Sequence, residues 1–174
     1  MRVIAGEFRS RRLKSIPGLA TRPTPDRLRE TLFNILAPRI EGATFVDAYA
    51  GTGAVGIEAL SRGARHAWFL ERSRPALEAI RENLASLNLE PRATVIAGPV
   101  LLTLPHYSAT IVFLDPPYSL DREYRAALDL LAQNPPPLAI VQHDVRFALD
   151  ESYGPLRQVR TVKQGDNSLS FYAG

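Results

Sequence analysis

The sequence predicts an α/β fold: a mostly parallel sheet with helices on both faces, ending in an antiparallel strand pair. Three observations carry this prediction. From residue 44 onward, short apolar stretches alternate with segments of helical period, the pattern of successive βα units. A glycine-rich turn, Gly51-Thr-Gly-Ala-Val-Gly56, directly follows the first apolar stretch. The final stretches, residues 156–162 and 169–172, alternate as antiparallel partners do.

The elements follow in order. Residues 1–23 are basic and broken by Gly6, Pro17, Gly18 and Pro23, with 3–4 and 12–14 reading as two short strands of an arm. Thr24-Pro25 opens a helix, with Thr24 as N-cap and Pro25 at its first position. Leu28, Leu32, Ile35 and Leu36 recur at helical spacing until Pro38 stops them. Strands are expected at 44–49, 67–70, 93–97, 110–114 and 139–142, and helices at 54–62, 73–87 and 121–133. The run Asn134-Pro-Pro-Pro137 is a stiff loop, and no internal repeat is present. Residues 1–174 therefore read as one domain: a basic arm (1–23), an N-terminal helix (24–37) and a core (44–174).

Composition narrows the chemistry. The chain has 174 residues, 45% hydrophobic and 22% charged, enough to bury a core. It has no cysteine, which excludes disulfides, cysteine zinc sites and thiol catalysis. No apolar run approaches the roughly 20 residues of a membrane helix, and residues 1–14 lack the apolar region of a secretory signal, so a cytoplasmic location is expected. His66, His106 and His143 show no metal-ligand spacing, and no metal is expected. There is no Walker A and no serine nucleophile elbow. Net charge is +3, but residues 1–30 carry +5 and the remainder −2. Positive charge gathered at one end suits a polyanion.

Two motifs carry the chemistry. Asp47-Ala-Tyr-Ala-Gly51-Thr-Gly53 ends the first strand, and Glu71 ends the second. Glycines allow a tight turn and close ligand approach, and a carboxylate some twenty residues on meets ribose hydroxyls. The spacing formally allows NAD. Asp47, however, would repel a pyrophosphate and attract a sulfonium and an α-amino group, which favours S-adenosylmethionine. Tyr49 stands at the ligand end of that strand and lines the same pocket. After the fourth strand comes Asp115-Pro116-Pro117-Tyr118. Proline removes the backbone donor and leaves the carbonyl, so Asp115 and the Pro116 carbonyl can both accept from one exocyclic amino group. Tyr118 offers a stacking face, worth about 1–3 kcal/mol for an unpaired base. Together these residues fit methylation of a nucleobase amino group.

Asp47 to Gly53 followed by Asp-Pro-Pro-Tyr resembles the class I amino-methyltransferases of nucleic acid bases. Met1-Arg-Val-Ile-Ala-Gly6, Thr21-Arg-Pro-Thr24, Arg29-Glu-Thr-Leu-Phe-Asn34, Gly56-Ile-Glu-Ala-Leu-Ser-Arg-Gly63 and Gly165-Asp-Asn-Ser-Leu-Ser-Phe-Tyr172 resemble the RsmD family, bacterial 16S rRNA guanine-N2 methyltransferases. The likeness spans nearly the whole chain. It implies a Rossmann-like, seven-stranded domain acting on 16S rRNA within an assembling or assembled 30S subunit, with a monomer as the default. It implies that Asp47, Gly51, Thr52 and Gly53 hold the donor's methionine part, that Glu71 holds ribose, and that Asp115 through Tyr118 hold the guanine. Arg9, Arg11, Arg12, Arg22, Thr24 and Arg27 are the expected RNA contacts, with residues 21–24 and Arg27 either touching RNA or closing over the active site. Two positions depart from the family pattern. Gly98-Pro99-Val100 lacks the acid that takes the adenine amino group, and Gln142-His143 replaces a Glu-His pair. Three alternatives are weighed against this reading: an adenine-N6 methyltransferase, disfavoured because the chain leaves no segment for a DNA target-recognition domain; an NAD-dependent oxidoreductase, which leaves Asp47 and Asp-Pro-Pro-Tyr unexplained; and a non-catalytic RNA-binding module.

Overall fold

The computed structural model describes residues 1–16, 24–117 and 120–174. In chain order it contains α1 (Asp26–Ile40), β1 (Thr44–Ala48), α2 (Ala54–Ser61), β2 (His66–Glu71), α3 (Arg74–Ser86), β3 (Ala93–Ala97), α4 (Val100–Thr103), β4 (Ile111–Leu114), α5 (Asp121–Gln133), β5 (Leu138–Asp144), β6 (Ser152–Tyr153), β7 (Leu156–Gln164) and β8 (Asn167–Ala173). Among the described residues, eight strands form one sheet in the order β3-β2-β1-β4-β5-β8-β7-β6. The first five are parallel and the last three antiparallel. The eighth strand, absent from the sequence reading, is the two-residue edge β6, too short to show a period.

The chain winds outward through β1, β2 and β3, then returns to place β4 on the other side of β1. That reversal opens a crevice at the carboxyl ends of β1 and β4, where α/β sheets bind ligands. β1 and β4 are buried along their whole length, as central parallel strands must be. One face packs under α1, α2 and α3 through Phe33, Phe45, Leu60 and Ile80. The other packs under α4 and α5 through Leu70, Val112 and Leu128. No helix among the described residues is long and apolar enough to cross a membrane.

Two helix boundaries differ from expectation. α1 continues through Pro38, which gives up one hydrogen bond to the carbonyl four residues back, and Ile40 beyond it is buried. Thr24 does not cap α1: Pro25 occupies that position without a side-chain cap bond, and the Thr24 hydroxyl serves the cavity described below.

The arm is a small hairpin fastened to the core. Arg2 and Arg12 form an antiparallel bridge, and Val3 and Leu13 are buried. Ile4 N–H and Ala5 N–H donate to the two oxygens of the fully buried Glu58, at 2.9 and 3.0 Å. Glu58 also pairs with Arg62 at 2.9 Å and Arg29 at 3.6 Å. Arg29 in turn donates to the Arg2 carbonyl at 2.6 Å. Gly6 makes the closest approach, at φ +87°, and a Cβ there would lie 2.1 Å from the Ser61 carbonyl oxygen. Gly6→Ala combines left-handed strain with overpacking. It is expected to lower stability by about 2–4 kcal/mol, read from the urea midpoint; an unchanged midpoint would show that this contact does not form in solution.

Candidate active site

A cavity of about 530 Å³ lies at the carboxyl ends of β1, β2 and β4, within the size range of small-molecule sites. Asp47, Glu71, Asp115 and Glu123 line it, and among the described lining residues the basic side chain is that of Arg72. Among the described residues no Lys or Arg forms an ion pair with Asp47, Glu71 or Asp115. Such a pocket attracts a cationic ligand and repels a pyrophosphate.

Asp47, on β1, is 2% exposed. One oxygen accepts the Gly56 N–H at 2.9 Å. Burial pushes its carboxyl well above the ordinary range; the Gly56 hydrogen bond opposes this, and the charges of Asp115 and Glu71 add to it. The turn that follows is left-handed at Tyr49, Gly51 and Gly53. Gly51 faces open space, as a ligand-cradling turn requires. Gly56 does something else: a Cβ there would meet the Phe69 ring at 2.3 Å, so it lets α2 settle on the sheet.

Glu71 is more occupied than its ribose role suggested. One oxygen accepts Gly51 N–H at 2.8 Å, and the other accepts Arg72 N–H and Ser73 N–H, each at 2.8 Å. It therefore orders the glycine turn and the start of α3. An ionised carboxylate has about four acceptor sites, so acceptor capacity remains. Thr52 also lines the cavity, its carbonyl held by the Asn83 amide at 3.0 Å.

Asp115 follows β4 at the wall of the same cavity. Burial raises its carboxyl to about 7, opposed by the hydrogen bond from Thr24. The Thr24 hydroxyl lies 3.4 Å from Asp115 Oδ2 and 3.1 Å from Gln142 Oε1, sharing one proton between two acceptors. The Pro116 carbonyl accepts the Tyr124 hydroxyl at 3.2 Å; among the described residues no second donor to that oxygen is seen. Pro117 lines the cavity. Tyr118 lies outside the described residues.

The expected RNA contacts divide. Arg9, Arg11, Arg12 and Arg27 are exposed, and Arg11 also donates to the Ser86 carbonyl at 3.1 Å. Arg22 lies outside the described residues. Thr24 is buried at the cavity wall against Asp115 and Gln142. The reading of the sequence also missed Met1, Ser15 and Ile16, which bring the arm to the cavity wall, and Glu123 on α5. Charge marked the arm, but no local signal showed where its backbone lies. Val100 stands in the cavity wall beside Pro99, an apolar surface where the family pattern has an acid.

The sheet order and the crevice between β1 and β4 define the fold of a class I methyltransferase. A family model described as "Conserved hypothetical protein 95" matches residues 1–173. The chain is 36% identical over 141 residues to Ribosomal RNA small subunit methyltransferase D of Haemophilus influenzae, covering 77% of this chain and 72% of that one. It is 42% identical over 123 residues to the Escherichia coli protein of the same name, covering 68% and 60%. The solved structure of the Escherichia coli protein yhhF superimposes with a TM-score of 0.86 at 34% identity, over 99% of this chain and 97% of that one. The chain belongs to the RsmD family of methyltransferases.

Proposed function

We propose that this chain transfers a methyl group from S-adenosylmethionine to the exocyclic N2 amino group of a guanine in 16S rRNA, in the cytoplasm and on the assembling or assembled small subunit. The observation that carries the reading is Asp115 and the Pro116 carbonyl standing in the wall of an acid-lined cavity beside Asp47 and the glycine turn. The relatives from Haemophilus influenzae and Escherichia coli are named for small-subunit rRNA methylation, which supports the substrate.

The residues present fit the donor. Asp47 offers a buried negative charge to the α-ammonium and sulfonium. Gly51 and Thr52 leave room for the methionine part, Gly53 shapes the turn from its buried side, where a Cβ would meet Phe69 and Ile80, Glu71 keeps acceptor capacity for ribose, and Tyr49 forms part of the wall. When bound, the donor supplies an activated methyl group. Asp115 and the Pro116 carbonyl accept hydrogen bonds from the guanine amino group. They hold its nitrogen toward the donor and disperse the positive charge that grows on it. Pro117 adds to the base-binding wall.

The donor half of the reading is tested by thermal shift. S-adenosylhomocysteine at about 100 times its Kd should stabilise the protein by about 2.7 kcal/mol, and NAD should leave the midpoint unmoved. Stabilisation by NAD alone would reverse the choice of cofactor. For the RNA half, deleting the arm would be a poor test, because Val3, Leu13 and Met1 belong to the core and the cavity. Replacing the exposed Arg9, Arg11 and Arg12 with glutamine removes three charges and the Arg11 bond to the Ser86 carbonyl, and leaves the buried residues of the arm in place. This triple variant should bind 16S rRNA more weakly and lower the slope of log K against log salt by about 2, at about 0.7 per phosphate contact. An unchanged slope would remove the arm from the RNA interface.

A further inference from the structure

The first turn of α5 holds two loops at once. Tyr124 is 1% exposed and donates its hydroxyl to the Pro116 carbonyl at 3.2 Å. Its neighbour Glu123 accepts the hydroxyl of Tyr49. Tyr49 sits immediately after β1 with φ +62°, a backbone conformation that a bulky residue holds only where its surroundings impose it. Tyr49, Pro116 and Glu123 all line the cavity. A short connection keeps α5 close behind the Asp-Pro-Pro loop, with Leu120 N–H donating to the Pro117 carbonyl at 3.0 Å. Consecutive side chains of one helix turn thus bind the loop after β1 and the loop after β4.

We propose that Glu123 and Tyr124 are positioning residues for methyl transfer, together setting the spacing between the turn that holds the donor and the loop that holds the target amine. The proposal rests on the reading above, in which Asp115 and the Pro116 carbonyl receive the amino group. Methyl transfer requires the nitrogen and the methyl group in line. A misplacement of about 1 Å costs on the order of 100-fold in rate. Loops tied to one helical turn cannot drift apart independently. Tyr124 also fixes the orientation of the carbonyl that must meet the amine, and its ring, 4.8 Å from that of Phe147, is anchored in the core. The sequence motifs do not include either residue.

The test uses the full chain and small subunits from a strain lacking it, and measures single-turnover methylation, S-adenosylhomocysteine affinity and thermal midpoint. Tyr124→Phe keeps the ring and removes only the hydroxyl. It should slow methyl transfer about tenfold or more, with the Kd for S-adenosylhomocysteine and the KM for subunits within about twofold of wild type. Glu123→Ala should slow it similarly, while Glu123→Gln, whose amide oxygen still accepts from Tyr49, should keep most of the rate. Tyr49→Phe combined with Glu123→Ala should be no slower than Glu123→Ala alone, as two ends of one interaction require. Wild-type rates in both Tyr124→Phe and Glu123→Ala overturn the proposal, as do additive losses in the Tyr49 and Glu123 pair. If wild-type protein labels no guanine, the functional reading beneath it fails. If wild type labels guanine and the variants keep pace, this inference alone fails.

Discussion

Asp115→Ala is expected to lower methyl transfer by about a thousandfold while leaving S-adenosylhomocysteine affinity within about twofold. In the proposed reaction the carboxylate stands where positive charge develops on the attacking nitrogen. A charge pair about 4 Å apart at an effective dielectric of about 20 is worth about 4 kcal/mol, and that energy converts to roughly three powers of ten in rate. Alanine removes the acceptor and leaves the donor half of the cavity, built on β1 and β2, in place. Asp115→Asn should retain part of the activity, because its amide oxygen still accepts. The pH profile separates the two variants further. Burial places the Asp115 carboxyl at about 7. Below that pH it is protonated and one of its oxygens becomes a donor, so wild-type turnover should rise as pH climbs through about 7. In Asp115→Asn this limb should vanish. Full turnover in Asp115→Ala would remove Asp115 from catalysis.

Asp47→Asn is expected to weaken donor binding by about two to three powers of ten, the other large effect. In the protein alone, Asp47 is a buried carboxylate hydrogen-bonded to Gly56 and facing two further acids. Its ionised form is costly there and gains from a cationic ligand, again by about 4 kcal/mol for a close pair. Asparagine keeps the volume and an acceptor for Gly56 N–H but removes the charge. The thermal midpoint of the ligand-free protein should therefore hold or rise while S-adenosylhomocysteine affinity, read by calorimetry, falls. Because burial raises the Asp47 carboxyl, donor affinity in the wild type should also fall as pH is lowered and the group takes up a proton. Undiminished affinity in Asp47→Asn would mean that the donor's ammonium lies elsewhere.

The sheet was legible because its central strands are short, uninterrupted apolar runs, and β1 and β4 are buried throughout. The two-residue β6 has no pattern to read. That Asp47, Glu71 and Asp115 line one cavity was legible because each lies at or just beyond the carboxyl end of a parallel strand, and that fold places all such ends on one side. What depended on contacts distant in sequence was not legible. Glu58 binds backbone of the arm from more than fifty residues away, so the charge of the arm was visible and its place against the cavity was not. Thr24 reads as a helix cap from its neighbours alone; its bonds to Asp115 and Gln142 span 91 and 118 residues. Glu123 and Tyr124 lie in an ordinary amphipathic helix. Only the packing of α5 on the sheet decides that Tyr124 faces the Pro116 carbonyl. Tyr49 was placed in the pocket by its position after β1, but its left-handed backbone and its bond to Glu123 have no sequence signature.

The proposed methyl transfer occurs at one atom, and the product identifies that atom. Small subunits from a strain lacking this protein would be incubated with it and radiolabelled S-adenosylmethionine, the rRNA digested to nucleosides, and the labelled nucleoside identified by mass spectrometry. The predicted result is N2-methylguanosine in 16S rRNA. Label in N6-methyladenosine, or none in RNA, would contradict it.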